Sequence, residues 1–348
     1  MSLPDPRRYG GAPPNRLAQL AANDGDAAAL RVAVAESVAA RRDDEIAQAY
    51  AAASSRTEYV RLWNAVCAAI DMPPADAQVV TRVFAMPWVM VCAGRLALTV
   101  PCVLQNMKAL VDVLEKQGAL GLSRNVGFSN ALCSVESLEA LTPGTNRAWA
   151  TSDPGVRECP PAPIRVARGE ETVHLRFLLG AAVTPVHEPG ITETAANVAL
   201  WGMQATRAMA KQLAMPGVEI LPLPRPPAGI MSAAYTGRRA ALETAFNLFL
   251  SNAVRSFRMK VGDPTLTVSS HEGNEVRVTL FSPLDEGAVE GYRWPLHPLD
   301  DLDEIEAAIA GFARDCRLPA IETVPWVLPD RTATGAIYYP RPDAVPRH

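Results

Sequence analysis

Where proline sits decides where this chain can run unbroken. Proline fixes φ at about −65° and offers no backbone N–H, so clustered prolines interrupt helices and sheet ladders alike. The sequence holds 30 prolines. They gather in the N-terminal arm, between 143 and 163, between 222 and 227, and in the tail from Pro319 onward. That layout predicts a core over residues 27–318 with stiff extensions. At 348 residues, the length suits about two domains. The expected divisions are a flexible arm (1–25), a helical segment plus a first β/α block (26–145), a proline-rich connector (146–168), a second α/β block with a long helix and hairpin (169–318), and an extended C-terminal tail (319–348).

Between the proline clusters, apolar spacing identifies the elements. Leu30, Val34, Val38 and Ile46 predict one helix over 27–53, and Tyr59, Leu62, Trp63, Val66 and Ile70 a second over 56–70. The β-branched and aromatic run Val79 to Cys92 predicts a strand. Pro101 suits the first turn of a helix reaching Lys116, and Ser134 to Leu141 a brief helix. Val173 to Val183 reads as a buried strand, Thr192 to Leu213 as a helix and Val218 to Leu223 as a strand. The two strand–helix–strand blocks resemble a weak internal duplication, although alternating elements produce that likeness unaided. The longest helix is expected over Ser232 to Met259.

The clearest local signal is a hairpin. Leu266, Val268 and Ser270 alternate with Thr267 and Ser269; Val276, Val278 and Leu280 alternate with Arg277 and Thr279; Glu272-Gly273-Asn274 supplies the turn. One apolar and one polar face place this hairpin at a sheet surface. Asp300 to Glu304 then starts a final helix, with acids where the helix dipole favours them. The fold class is α+β (mixed α/β): an N-terminal helical segment, a mixed sheet with packed helices, and a C-terminal antiparallel hairpin plus helix. The alternating middle predicts some parallel pairing.

Several function classes are excluded. A net charge of −4 does not suit a polybasic nucleic-acid coat. There are four lysines, Lys108, Lys116, Lys211 and Lys260, none after a glycine, so no P-loop exists. The dinucleotide fingerprint G-x-G-x-x-G is absent. Gly121-Leu122-Ser123 begins like a nucleophile elbow, but Asn125 replaces its second glycine. His187-Glu188 and His271-Glu272 lack the second histidine of a zinc protease. The six cysteines form no C-x-x-C pair and are expected as reduced thiols. The longest apolar run, Val83 to Gly94, falls short of the roughly 20 residues of a membrane span. The N-terminus lacks a secretory pattern, so a cytoplasmic protein is expected, with no cofactor, metal or membrane partner.

Three regions stand out as candidate sites. Residues 118–133 concentrate glycines with Ser123, Arg124, Asn125, Asn130 and Cys133, groups able to orient a small ligand, although helix capping and turns also use them. Residues 225–260 are basic, including Arg238 and Arg239, while 263–306 are acidic; these segments suit pairing within the fold, pairing between copies, or a phosphate or nucleic-acid site on the basic helix. Tyr292, Arg293 and Trp294, with Trp326 in the tail, are residue types that anchor interfaces or plug a core edge. His187 and His297 are loop-borne candidates, and His174 is expected in a strand. The expected function is a non-catalytic structural or assembly subunit that self-associates, as a homo-oligomer, or docks onto a larger protein complex. The alternative is an enzyme or small-ligand-binding protein with its site around 118–133. Nucleic acid is not an expected partner.

Overall fold

The computed structural model describes residues 15–72, 77–105, 107–108, 110–112, 124–136, 141–150, 161–186, 195–221, 228–270, 275–282, 284–285, 287–319, 322–323, 330–331 and 337–338. The protein is α+β, as its sequence predicts. It divides into two units, Met1–Ala241 and Leu242–His348. Among the described residues, no helix is long and apolar enough to cross a membrane.

The first unit opens with four helices: α1 (Arg16–Ala22), α2 (Ala27–Ala39), α3 (Asp43–Ala52) and α4 (Arg56–Asp71). Residues 15–22 were expected in a flexible arm, but Asn15 caps α1, its Oδ1 accepting from the Ala18 N–H at 3.0 Å. Leu17, Ala18 and Ala21 join Leu30, Val34, Ile46, Leu62 and Val66 in one apolar core. The single helix expected over 27–53 is two. Arg41 takes the left-handed conformation (φ 54°), Arg42 N donates to Ser37 O at 2.8 Å and Arg41 N to Val38 O at 3.2 Å. This Schellman stop closes α2 with arginine where glycine usually stands. Ser55 caps α4 by accepting from the Glu58 N–H at 3.3 Å.

Two 15-residue strands, β1 (Val79–Ala93) and β5 (Glu171–Pro185), pair antiparallel from Val79↔Pro185 to Ala93↔Glu171. Between them in sequence lie β2 (Leu98–Val100), β3 (Arg124–Cys133), α5 (Pro143–Ala150) and β4 (Ile164–Val166). After β5 come α6 (Ala195–Leu213) and β6 (Val218–Ile220). The sheet order is β3-β5-β1-β6, and every pairing in it is antiparallel. The parallel pairing expected here does not form, because the two long strands pair directly along their full length. That order reads the same when the two blocks, β1/β3 and β5/β6, are exchanged.

Pro87 is tolerated inside β1 for a geometric reason. Ala85 N donates outward to Ala228 O and Ala93 N to Gly217 O. Odd-numbered residues therefore aim their N–H at the β6 side, and Pro87 falls between the Ala228 bridge and the β6 ladder. Two further expectations are corrected. Pro101 follows β2, with Cys102 left-handed (φ 57°), so no helix starts there, and helical residues begin at Lys108. The connector expected over 146–168 contains the end of α5 and all of β4. Thr142 caps α5, its Oγ1 accepting from the Thr145 N–H at 3.2 Å, with Pro143 in the first turn where its missing N–H matters least.

Helix α7 spans Ile230–Lys260, 31 residues; from Leu242 it belongs to the second unit. There β7 (Thr265–Ser270), β8 (Glu275–Phe281) and β9 (Val289–Pro295) form an antiparallel meander. A short β10 (Glu322–Thr323) adds to β7 in parallel, which makes this sheet mixed. Helix α8 (Leu302–Asp315) is capped by Asp301, which accepts from the Asp303 N–H at 3.0 Å. Phe246, Leu250 and Phe257 of α7, Leu266, Val268, Val276, Val278 and Leu280 of the hairpin, and Ile305 and Ile309 of α8 build the core. The hairpin register matches the sequence, but its polar face is not at the surface: Thr267, Ser269 and Thr279 are buried too. In the tail, β11 (Asp330–Arg331) pairs with β12 (Ile337–Tyr338).

Candidate functional site

In the first unit, four separate pieces of chain line a half-open cavity of about 60 Å³. The last turns of α4 supply Cys67, Ile70 and Asp71, β1 supplies Val83, α5 supplies Asn146, and Gly229 to Ser232 supply the start of α7. The apolar periodicity of α4 turns Leu62 and Val66 into the helical core and leaves Cys67 and Asp71 on the cavity side. The Thr142 cap fixes the start of α5, and the Asn146 N–H donates to Thr142 O at 2.9 Å.

Asn146 is the unusual group here. Its side chain is 2% exposed, and among the described residues neither Nδ2 nor Oδ1 has a hydrogen-bond partner. A buried amide left unsatisfied forfeits its hydration, which costs about 1–3 kcal/mol per group. Such a group needs a bound molecule or water to complete it.

The surrounding charges are set by burial. Burial raises the Asp71 carboxyl above its ordinary range, and Arg82 and Arg147 oppose that rise. Burial lowers the Arg147 guanidinium, with Asp71 opposing. Burial, reinforced by Asp71, pushes the Cys67 thiol up to about 11, against the lowering effect of a hydrogen bond with Ser232. A thiol held protonated at neutral pH is a poor nucleophile. The polar groups of the cavity wall are thus the Cys67 thiol, the Asp71 carboxyl, the Asn146 amide and Ser232.

The residues singled out in the sequence lie elsewhere. Ser123 and His187 fall outside the described residues. Arg124 and Asn125 are on β3, with side chains outside the description. Asn130 is exposed, and its carbonyl accepts from the Leu104 N–H at 2.9 Å. Cys133 is fully buried, packed in a core with Val89, Phe177 and Leu179. His174 bonds Thr172 at 2.9 Å, and His297 Nδ1 accepts from the Leu299 N–H at 3.2 Å. Trp294, expected as an interface anchor, is fully buried with its ring 5.7 Å from that of Phe246. The Tyr292 ring meets Phe246 edge-on at 5.2 Å and Phe249 at a tilt at 5.1 Å. Arg293 is 66% exposed and pairs with Glu275. Arg238 and Arg239 are partly buried, and Trp326 lies outside the described residues. Between the basic and acidic segments, Arg258 Nε pairs with Asp263 at 2.6 Å.

Comparison with known proteins matches the chain to no family model, no curated protein and no solved structure.

Proposed function

We propose that this protein is a non-catalytic subunit whose first unit binds a small polar ligand in the cavity at the start of α7. The observation that supports this reading is Asn146, a buried residue of the cavity wall whose side-chain amide has no hydrogen-bond partner among the described residues. The chemistry of the wall favours binding over turnover, since burial keeps the Cys67 thiol protonated. A ligand that binds only the folded chain raises its melting temperature by mass action. Thermal unfolding with acetate, glycolate, acetamide and glycolamide tests the reading. At least one solute should raise the melting temperature of the wild type and leave Asn146→Leu unshifted. No shift with any of the four would contradict it.

Self-association, the sequence's first expectation, is the second reading. Met259 is 73% exposed and Leu284 83% exposed, and they flank Gly262, where an added Cβ would lie 3.6 Å from Leu284 Cδ1. Large exposed apolar side chains such as these suit burial against another chain. Light scattering should show an oligomer that a Met259→Glu, Leu284→Glu double variant dissociates. A monomeric wild type sinks this second reading.

A further inference from the structure

Strand β1 is 15 residues long, and β5 pairs with one of its edges from end to end. The opposite edge is only partly occupied. Strand β6 takes it from Met90 to Cys92, and a bridge to Ala228 takes it at Ala85. Odd-numbered residues of β1 turn their backbone groups to this edge, as the Ala85 N–H does toward Ala228 and the Val89 carbonyl toward Leu221. Val79, Thr81 and Val83 therefore present their N–H and C=O groups there, and no strand among the described residues pairs with them. Val79 is also 57% exposed. Regularly spaced donors and acceptors along a strand edge match one chemistry, an extended polypeptide backbone.

The residues of the edge select which backbone. Val79-Val80-Thr81-Arg82-Val83 complements itself when a second copy runs antiparallel to it. Centring the pair on Thr81 sets Thr81 opposite Thr81 of the second copy and Val79 opposite Val83 of the second copy, cross-strand pairs of the kind that stabilise sheets. Arg82 then faces Val80 of the second copy, so like charges do not meet directly. All three open residues are used, and the Ala228 bridge at Ala85 stops the ladder from running further. Centring on Arg82 instead would set two guanidinium groups opposite each other, which is destabilising. Centring on Val80 would pair Val83 with Ala77, outside β1.

We propose that β1 is a self-pairing edge: two copies of the chain join antiparallel along Val79–Val83, about a two-fold axis at Thr81, and the sheet of one continues into the sheet of the other. The opposed odd-numbered residues exchange both N–H···O bonds. This interface goes beyond the ligand reading, which concerns the side chains of the cavity wall. It lies in the first unit, whereas Met259 and Leu284 belong to the second.

Two variants of the full chain test the pairing. Residues opposed in a hydrogen-bonded pair have Cα atoms about 5.5 Å apart, within disulfide reach. Thr81→Cys, treated with oxidised glutathione, should therefore give a covalent dimer that peptide mapping shows to be linked at position 81. Wild type should not, and neither should Val32→Cys, whose site on α2 is 58% exposed. Thr81→Pro removes the outward N–H and leaves the β5 ladder intact, as Pro87 does. By light scattering, wild type should have twice the chain mass of 37.3 kDa, and Thr81→Pro the chain mass itself. The cysteine variant keeps the test informative even where Thr81→Pro fails to fold. A dimer that survives Thr81→Pro but dissociates with Met259→Glu and Leu284→Glu overturns the β1 pairing and leaves the second reading standing; the reverse pattern supports the pairing and overturns that reading. A monomeric wild type, with no covalent dimer from Thr81→Cys, overturns both.

Discussion

Cys67 on α4 and Ser232 in the first turn of α7 both line the cavity, and a hydrogen bond with the Ser232 side chain lowers the Cys67 thiol's pKa. Despite that bond, burial pushes Cys67 from 9.0 to about 11, and burial also pushes Tyr59 from 10.0 to about 12. Both acids bind their proton more tightly in the folded protein. Their contribution to stability is therefore present below pH 9.0 and lost as pH rises through about 11 and about 12. The urea midpoint should fall steadily above pH 9.0, and Cys67→Ala should flatten the first part of that fall. A midpoint independent of pH across this range would contradict the buried, protonated thiol.

Arg41 and Arg317 close helices in the left-handed conformation, at φ 54° and 56°. That conformation costs an L-residue about 1–2 kcal/mol, and glycine escapes the penalty. At the end of α8, Leu318 N donates to Ala313 O and Arg317 N to Arg314 O, both at 2.9 Å, and Arg258 Nη2 donates to the Cys316 and Arg317 carbonyls at 3.1 and 3.3 Å, so backbone bonds and Arg258 close the turn. Arg317→Gly should therefore stabilise the protein by about 1 kcal/mol, read as a higher melting temperature. A lower one would show that the arginine side chain matters more than its backbone strain.

Gly180 lies against the Phe84 ring. An added Cβ would approach Phe84 Cε2 and Cζ to 2.4 Å. Phe84 is itself fixed edge-on against Phe128 at 5.8 Å, so the ring has little room to yield. Gly180→Ala should destabilise the first unit by about 1–3 kcal/mol through overpacking. Denaturant unfolding measures this, and an unchanged midpoint would mean the sheet relaxes freely.

Trp294 separates a core role from an interface role. Because it is fully buried beside Phe246, Trp294→Ala should cost about 3–5 kcal/mol of stability. The native mass of the fraction that stays folded should not change. A variant as stable as wild type but smaller in mass would restore the interface reading.

Much of this architecture was legible in the sequence, and the exceptions have physical causes. The hairpin could be read because its apolar positions alternate strictly and its register follows from that alternation. The start of α8 could be read because Asp301 and the acids after it mark a helix N-terminus. The break between α2 and α3 was hidden because arginine occupies the left-handed position where glycine would have announced it. Trp294 reads in a sequence as either an interface anchor or a core-edge plug, and only its packing against Phe246 shows it buried. The cavity was the least legible feature of all. Cys67, Asp71, Val83, Asn146 and Gly229 are far apart in the chain, and only the folding of α4, α5, β1 and α7 brings them together. The one local signal was Gly229 directly before a long helix, a cap without a capping side chain.

The most direct test of the account is the Asn146 side-chain amide itself, followed by nuclear magnetic resonance during titration with each of the four solutes and assigned with Asn146→Leu. The account requires the Asn146 Nδ2 protons to shift and saturate with a solute that raises the melting temperature, and not to move with chloride at equal ionic strength. An Asn146 amide signal unmoved by all four solutes would contradict it.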